Sequence, residues 1–320
     1  MPAPGNTIAR PSVAGVLLLV LLGGPGLADE GGVSFWLPGQ YASFAALAPT
    51  PGFSLPMQTY YYSGSAGGST PLARGGTLDF GVDTDFAAEF LVPTWAPDTT
   101  FLGGRPAFSI AGFPGWNQTS ANLTAAGHGA SRTDSVTGFG DLYPTAQIFW
   151  NRGVNNWMAY VTGDVPVGDY DPHRLANLGI GHGAIDAGGA YTYLDTATGW
   201  EFSATAGVTY NFVNPDTDYT SGIDSHLDLG LSKSLSDRFF VGLVGYAYVQ
   251  LTPDDGQPAA LGDFESQVFG IGPQIGYTFD VGSVPIYTNL RAYFEFGAKN
   301  RTQGGGGFLT INIPLSGARS

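Results

Sequence analysis

Residues 78–90 read LDFGVDTDFAAEF, and no other feature restricts the chain as much. The even positions, Leu78, Phe80, Val82, Phe86, Ala88 and Phe90, are apolar, with Thr84 the one exception. The odd positions, Asp79, Gly81, Asp83, Asp85, Ala87 and Glu89, are small or acidic. A period of two sets one face of a β-strand in an apolar medium and the other in water. The run outlasts the typical soluble strand of about five or six residues. It suits a membrane strand, which needs about nine to eleven tilted residues.

The rest of the chain agrees with a closed sheet. From Phe53 onward twelve candidate strands can be marked, and 201–212 alternates almost as cleanly as the second strand. The connectors fall into two sets. Long ones, such as 114–137, 168–183 and 252–266, follow the odd-numbered strands, and short ones follow the even-numbered strands. An even strand number with short turns on one side and long loops on the other is the pattern of bacterial outer-membrane barrels. A soluble sandwich has no reason to sort its loops in this way. Trp95, Trp150, Trp157, Trp200 and Phe239 stand beside short turns, where an interfacial aromatic girdle belongs. The expected fold class is therefore all-β, an antiparallel transmembrane barrel of about twelve strands.

Three segments follow. Arg10, the apolar run 13–22 and Gly26-Leu27-Ala28 form a secretory signal over 1–28. Residues 29–52 lack alternation and are expected to form a periplasmic cap or lumenal plug. A short helix is expected near 40–48, closed by Pro49 and Pro51. Residues 53–320 form the barrel.

Composition excludes several functions. The chain has no cysteine, which removes disulfides and thiolate metal sites. A formal net charge of −14 argues against a nucleic-acid partner. No Gly-x-Ser-x-Gly elbow, HExxH or Walker loop occurs, and Gly179–Ala184 matches a dinucleotide fingerprint without its strand-to-helix setting. An enzyme is not expected.

With the apolar phase of the second strand facing lipid, a lumenal set is expected to comprise Asp79, Asp83, Asp85, Glu89, Tyr160, Asp164, Tyr246, Tyr248, Arg291 and Glu295. Carboxylates there must meet water or arginine, and the tyrosines offer faces on which a ring-bearing solute can stack. Whether these groups line an open path or close a narrow barrel through ion pairs is left open by the residues alone. Asp216, Asp218 and Asp224 crowd one long loop with the hard oxygen ligands that Ca²⁺ takes in extracellular loops. No other cofactor is expected.

Four stretches carry a family resemblance: GDVPVGDYDPHRLANLGIGHG at 163–183, NPDTDYTSGIDSHLD at 214–228, FGDLYPTAQIFW at 139–150 and NRTQGGGGFLTINIPL at 300–315. They resemble the outer-membrane family named for the meta-cleavage pathway of phenol degradation, as does the N-terminal region from EGGVSFWLPGQ onward. The resemblance implies a transporter of small hydrophobic or aromatic compounds in the outer membrane of a Gram-negative bacterium. The implied partners are outer-membrane lipid, lipopolysaccharide and the barrel assembly machinery. The last strand departs from many such barrels by ending at Pro314-Leu315 without a terminal aromatic. The alternative is a non-transporting barrel with a structural or surface-interaction role.

Overall fold

The computed structural model describes residues 34–71, 77–125, 128–256 and 265–315. The signal segment 1–28 lies outside the described residues. The strands are β1 Gly52–Pro71, β2 Thr77–Leu91, β3 Thr94–Ala96, β4 Arg105–Ala111, β5 Pro114–Ala125 and β6 His128–Phe139. There follow β7 Tyr143–Arg152, β8 Asn155–Asp164, β9 Ala184–Asp195, β10 Trp200–Asn211, β11 Tyr219–Thr220 and β12 Asp224–Ser234. The last are β13 Phe239–Gln250, β14 Asp255–Gly256, β15 Gln267–Val281, β16 Val284–Lys299 and β17 Gln303–Pro314.

All but β11 and β14 join one antiparallel sheet, which β17 closes by pairing with β1 from Ser54↔Pro314 to Ser65↔Gln303. The pairs β2–β3, β4–β5 and β6–β7 each make one continuous stave, so the barrel has twelve. Closure leaves no sheet edge at the seam, the only arrangement of strands that a membrane interior accepts.

Outward phases carry apolar side chains. Phe202, Val208 and Tyr210 on β10, Ile271, Ile275 and Tyr277 on β15, and Leu290 and Phe294 on β16 are exposed. Trp95, Trp157 and Trp200 are exposed beside their turns, as an interfacial girdle requires. Lys233 lies 5.1 Å from the Trp200 ring and donates to the Thr198 carbonyl, so its stem crosses the apolar surface to reach the turn.

Two expectations are corrected here. The stretch 114–137, expected as a loop, is largely the hairpin β5–β6, paired from Pro114↔Phe139 to Ala125↔His128. Its outer face needs no apolar residues where it extends past the ladder between β7 and β8, so the alternation that marks a membrane strand is absent.

The second correction concerns the stretch 78–90. Its apolar phase faces inward: Val82 and Ala88 are buried, and Phe86 and Phe90 pack on Phe113 at 6.0 and 4.5 Å. Asp79, Asp83, Asp85 and Glu89 face outward. Asp79 and Asp83 are exposed, Asp85 accepts from Tyr61 Oη at 3.2 Å, and Glu89 accepts from Thr59 Oγ1 at 2.6 Å. Alternation sorts residues into two faces but does not say which face is wet. Here the interior supplies the apolar medium, through Phe113, Val136, Ala176 and Leu178.

Candidate functional site: the segment inside the barrel

Segment 34–51 lies against the inner wall. The expected helix at 40–48 does not form. Turns occupy 38–39 and 43–46 instead, with Gln40 N bonded to Leu37 O and Leu47 N to Phe44 O, each at 3.1 Å. The physical reason is competition for backbone donors. Gly39 N and Tyr41 N donate to the two carboxylate oxygens of Asp228 at 2.8 and 3.1 Å. Phe44 N meets Glu201 Oε1 at 2.9 Å and Ser203 Oγ at 3.0 Å, and Ala46 N meets Thr192 Oγ1 at 3.0 Å. Phe44 N and Ala46 N, which a helix over 40–48 would spend on Gln40 O and Ala42 O, go to the wall instead.

The carbonyls of this segment are held as well. Arg291 Nε donates to Gly39 O at 3.1 Å and its Nη2 to Gln40 O at 2.7 Å, while Tyr293 Oη reaches Gly39 O at 3.1 Å. Gly39 is thus gripped from both sides. Its φ of +81° favours glycine, and a Cβ there would stand 2.7 Å from Tyr293 Cζ. Gly230 on β12 gives room from the other direction, since a Cβ there would lie 2.4 Å from Ser43 N.

Trp36 anchors the upper bend of the segment. It is 2% exposed and stacks on His226 at a centroid distance of 3.4 Å. His226 Nε2 lies 3.0 Å from Asp186 Oδ2 and 3.1 Å from Tyr160 Oη, and Asp186 also accepts from Thr209 at 2.6 Å. With the indole over its ring, this histidine is a packing and hydrogen-bonding group rather than a base with open access to a substrate. Tyr41 accepts from Gln147 Nε2 at 3.1 Å, and burial pushes its phenol well above the ordinary value, so it stays neutral.

The remaining expected lumenal residues fall into place around this core. Tyr160, Asp164, Tyr246, Tyr248 and Arg291 are all buried and inward. Tyr246 Oη donates to Glu295 Oε1 at 2.7 Å, and Glu295 Oε2 accepts from Tyr62 Oη at 2.8 Å and Gly304 N at 2.7 Å. The Arg301 guanidinium sits 4.6 Å from the Tyr248 ring. The expectation that inward carboxylates need water or arginine missed a third solution, main-chain N–H groups from the 34–51 segment. The available signal was the surplus of inward acids, among them Asp228 and Glu201, over inward cations.

The expected calcium ligands are not brought together. Asp224 is buried and accepts from Asn211 Nδ2 at 2.8 Å, whereas the Asp216 backbone is turned by Asn214 Oδ1 and Asp218 adopts φ +55°. Among the described residues no group of three or more metal-ligating side chains converges.

The family described as "Putative MetA-pathway of phenol degradation" matches residues 63–311. The chain belongs to that family. No curated protein matches it. Among solved structures, the COG4313 outer-membrane channel from Pseudomonas putida F1 is similar at 14% identity and a TM-score of 0.57, covering 87% of this chain and 98% of that one. CdiB from Acinetobacter baumannii is similar at 10% identity and a TM-score of 0.36, over 82% of this chain and 59% of that one. The first likeness establishes a shared barrel fold.

Proposed function

We propose that this protein is an outer-membrane channel for small hydrophobic or aromatic molecules, with segment 34–51 as its resident lumenal plug. The observation that carries the reading is the reach of that segment. It is met by side chains from β1, β4, β7, β8, β9, β10, β12, β13, β15 and β16 through Gln58, Arg105, Gln147, Tyr160, Thr192, Glu201, Asp228, Phe240, Gln274 and Arg291. Barrels of about eight strands are filled by their own wall side chains and those of about 16–18 leave an aqueous channel, so twelve strands fall between the two. A separate segment, bound by hydrogen bonds that can be exchanged for water, is the construction expected of a removable stopper.

An aromatic cluster beyond the segment supports the class of solute. Tyr60, Phe86, Phe90, Phe113, Tyr143 and Phe308 crowd there, with Tyr60 stacked on Phe308 at 4.5 Å. Aromatic faces, with Arg291 over the Phe308 ring at 4.3 Å, suit ring-bearing molecules that carry a polar group. The outward apolar belt and tryptophan girdle support residence in the outer membrane, against lipid and lipopolysaccharide, after removal of the 1–28 signal.

The test is uptake of a labelled aromatic such as toluene by cells with and without this protein. Faster entry in cells that carry it is expected. Equal rates would overturn the channel reading and favour a structural or surface-interaction role.

A further inference from the structure

The barrel wall changes character between its fourth and fifth staves. β7 and β8 are laddered from Arg152↔Asn155 to Thr145↔Thr162. Beyond that point stands the isolated Leu142↔Val165 bridge. Pro144, the next residue after the last pair, has no N–H to give to a ladder. Higher up, β6 pairs with β5 on one edge, and its other edge meets the 165–183 connector through Asp169 and Phe139 rather than a strand.

The two faces of this weak seam match. On the lipid side a groove of about 430 Å³ is lined by Phe108, Pro144, Ala146, Val161, Gly163 and Ile185. On the inner side Tyr143 stacks on Phe113 at 6.4 Å and meets Phe35 at 5.7 Å, at the edge of the aromatic cluster that includes Phe86 and Phe90. Thr145 and Thr162, hydroxyl to hydroxyl at 2.8 Å, are the inward pair at the top of the ladder. Asp164 adds an independent observation: it is 8% exposed, and among the described residues neither carboxylate oxygen meets a donor. A buried acceptor without a donor, beside aromatic rings, marks a place where a ligand can supply one.

We propose that this seam is a side portal through which a small aromatic solute bearing one hydrogen-bond donor passes between the barrel interior and the membrane. The proposal rests on the channel reading. Straight passage is opposed by Trp36, Tyr41 and their partners, whereas the sideways route joins one apolar region to another and needs few backbone bonds to part. The ring would lie among Phe113 and Tyr143, with its donor on Asp164.

The probe is N-phenyl-1-naphthylamine, an apolar aromatic amine whose fluorescence rises on entering lipid. The full-length chain, which has no native cysteine, is placed in the outer membrane of intact cells. Pro144→Cys with Gly163→Cys, when oxidised, is expected to slow probe entry several-fold towards the rate of cells lacking the protein, with recovery on reduction. Ala146→Trp, which fills the groove without cysteine chemistry, is expected to slow entry likewise. Ionic conductance of both variants in planar bilayers is expected to stay at the wild-type value. Entry that is faster with the protein but indifferent to oxidation and to Ala146→Trp would overturn the portal alone. Equal entry with and without the wild-type protein would overturn the channel reading and the portal with it. If the double variant does not assemble, Ala146→Trp decides.

Discussion

Replacing Asp228 by alanine removes the acceptor of two backbone donors at once. Its side chain is buried in the barrel wall, and both oxygens serve the segment, at 2.8 Å to Gly39 N and 3.1 Å to Tyr41 N. A hydrogen bond to a charged partner contributes about 1.5–3 kcal/mol net, so two give roughly 3–6 kcal/mol. Removing the acid also relieves the desolvation of a buried carboxylate, which brings the expected loss to about 2–4 kcal/mol. That shifts the docking equilibrium of the segment by about thirty- to seven-hundred-fold, at tenfold for every ~1.4 kcal/mol. Asp228→Asn, which keeps one oxygen acceptor, should fall between the two. Hydrogen exchange at the amides of Gly39, Tyr41, Phe44 and Ala46 reads this directly, and single-channel recordings should show more frequent openings. Heat-modifiable migration on gels controls for assembly. Unchanged exchange at Gly39 and Tyr41 in a properly assembled Asp228→Ala barrel would refute the reasoning, because the donors would then have another home.

Gly39→Ala should loosen the same segment by about 1–3 kcal/mol, since a side chain must adopt a left-handed φ, and here it also meets Tyr293. Gly153→Ala, in the β7–β8 turn with φ +66° and no atom within 4 Å of its Cβ, carries a similar backbone cost. It should leave segment exchange unaltered, and a matching change in both variants would mean that general destabilisation is being measured. Asp83→Asn with Asp85→Asn should leave the reversal potential in a salt gradient unchanged, because both acids face outward. Glu295→Gln, on the inner wall, should shift it. A shift of equal size from the outward pair would contradict their placement.

The staves were legible wherever one face meets lipid. On β10 the split between Phe202, Val208 and Tyr210 outside and Glu201, Ser203, Thr205 and Thr209 inside follows the alternation residue by residue. The same rule inverted the second stave, because Phe86 and Phe90 face an interior as apolar as lipid. The hairpin β5–β6 was invisible for the opposite reason: with polar surroundings outside, nothing compels its outer face to be apolar. In the inner fabric Tyr160, Tyr246 and Arg291 were readable as inward polar groups. The grip on the segment was not, since Asp228 and Arg291 bond to the backbone of residues far away in sequence, whose shape is dictated by the wall. Local preference suggested a helix at 40–48, and acceptors more than a hundred residues distant took the Phe44 and Ala46 donors.

The seam between the first and last strands acquires a second meaning from the residues beneath it. Gln58 on β1 donates both to Gln40 O of the segment, at 3.4 Å, and across the seam to Thr310 on β17, at 3.3 Å. Arg291 likewise holds Gln40 O and Thr310 together from the neighbouring β16. Ring closure and segment docking therefore share the same side chains, and a free energy shared between two events acts on both equally. Loosening the seam at Gln58 or Arg291 therefore loosens the docked segment, and undocking the segment weakens the seam. Under the channel reading, displacing the segment also breaks contacts that tie β1 and β16 to β17, so part of the cost of opening lies at the joint where the chain completes its circle.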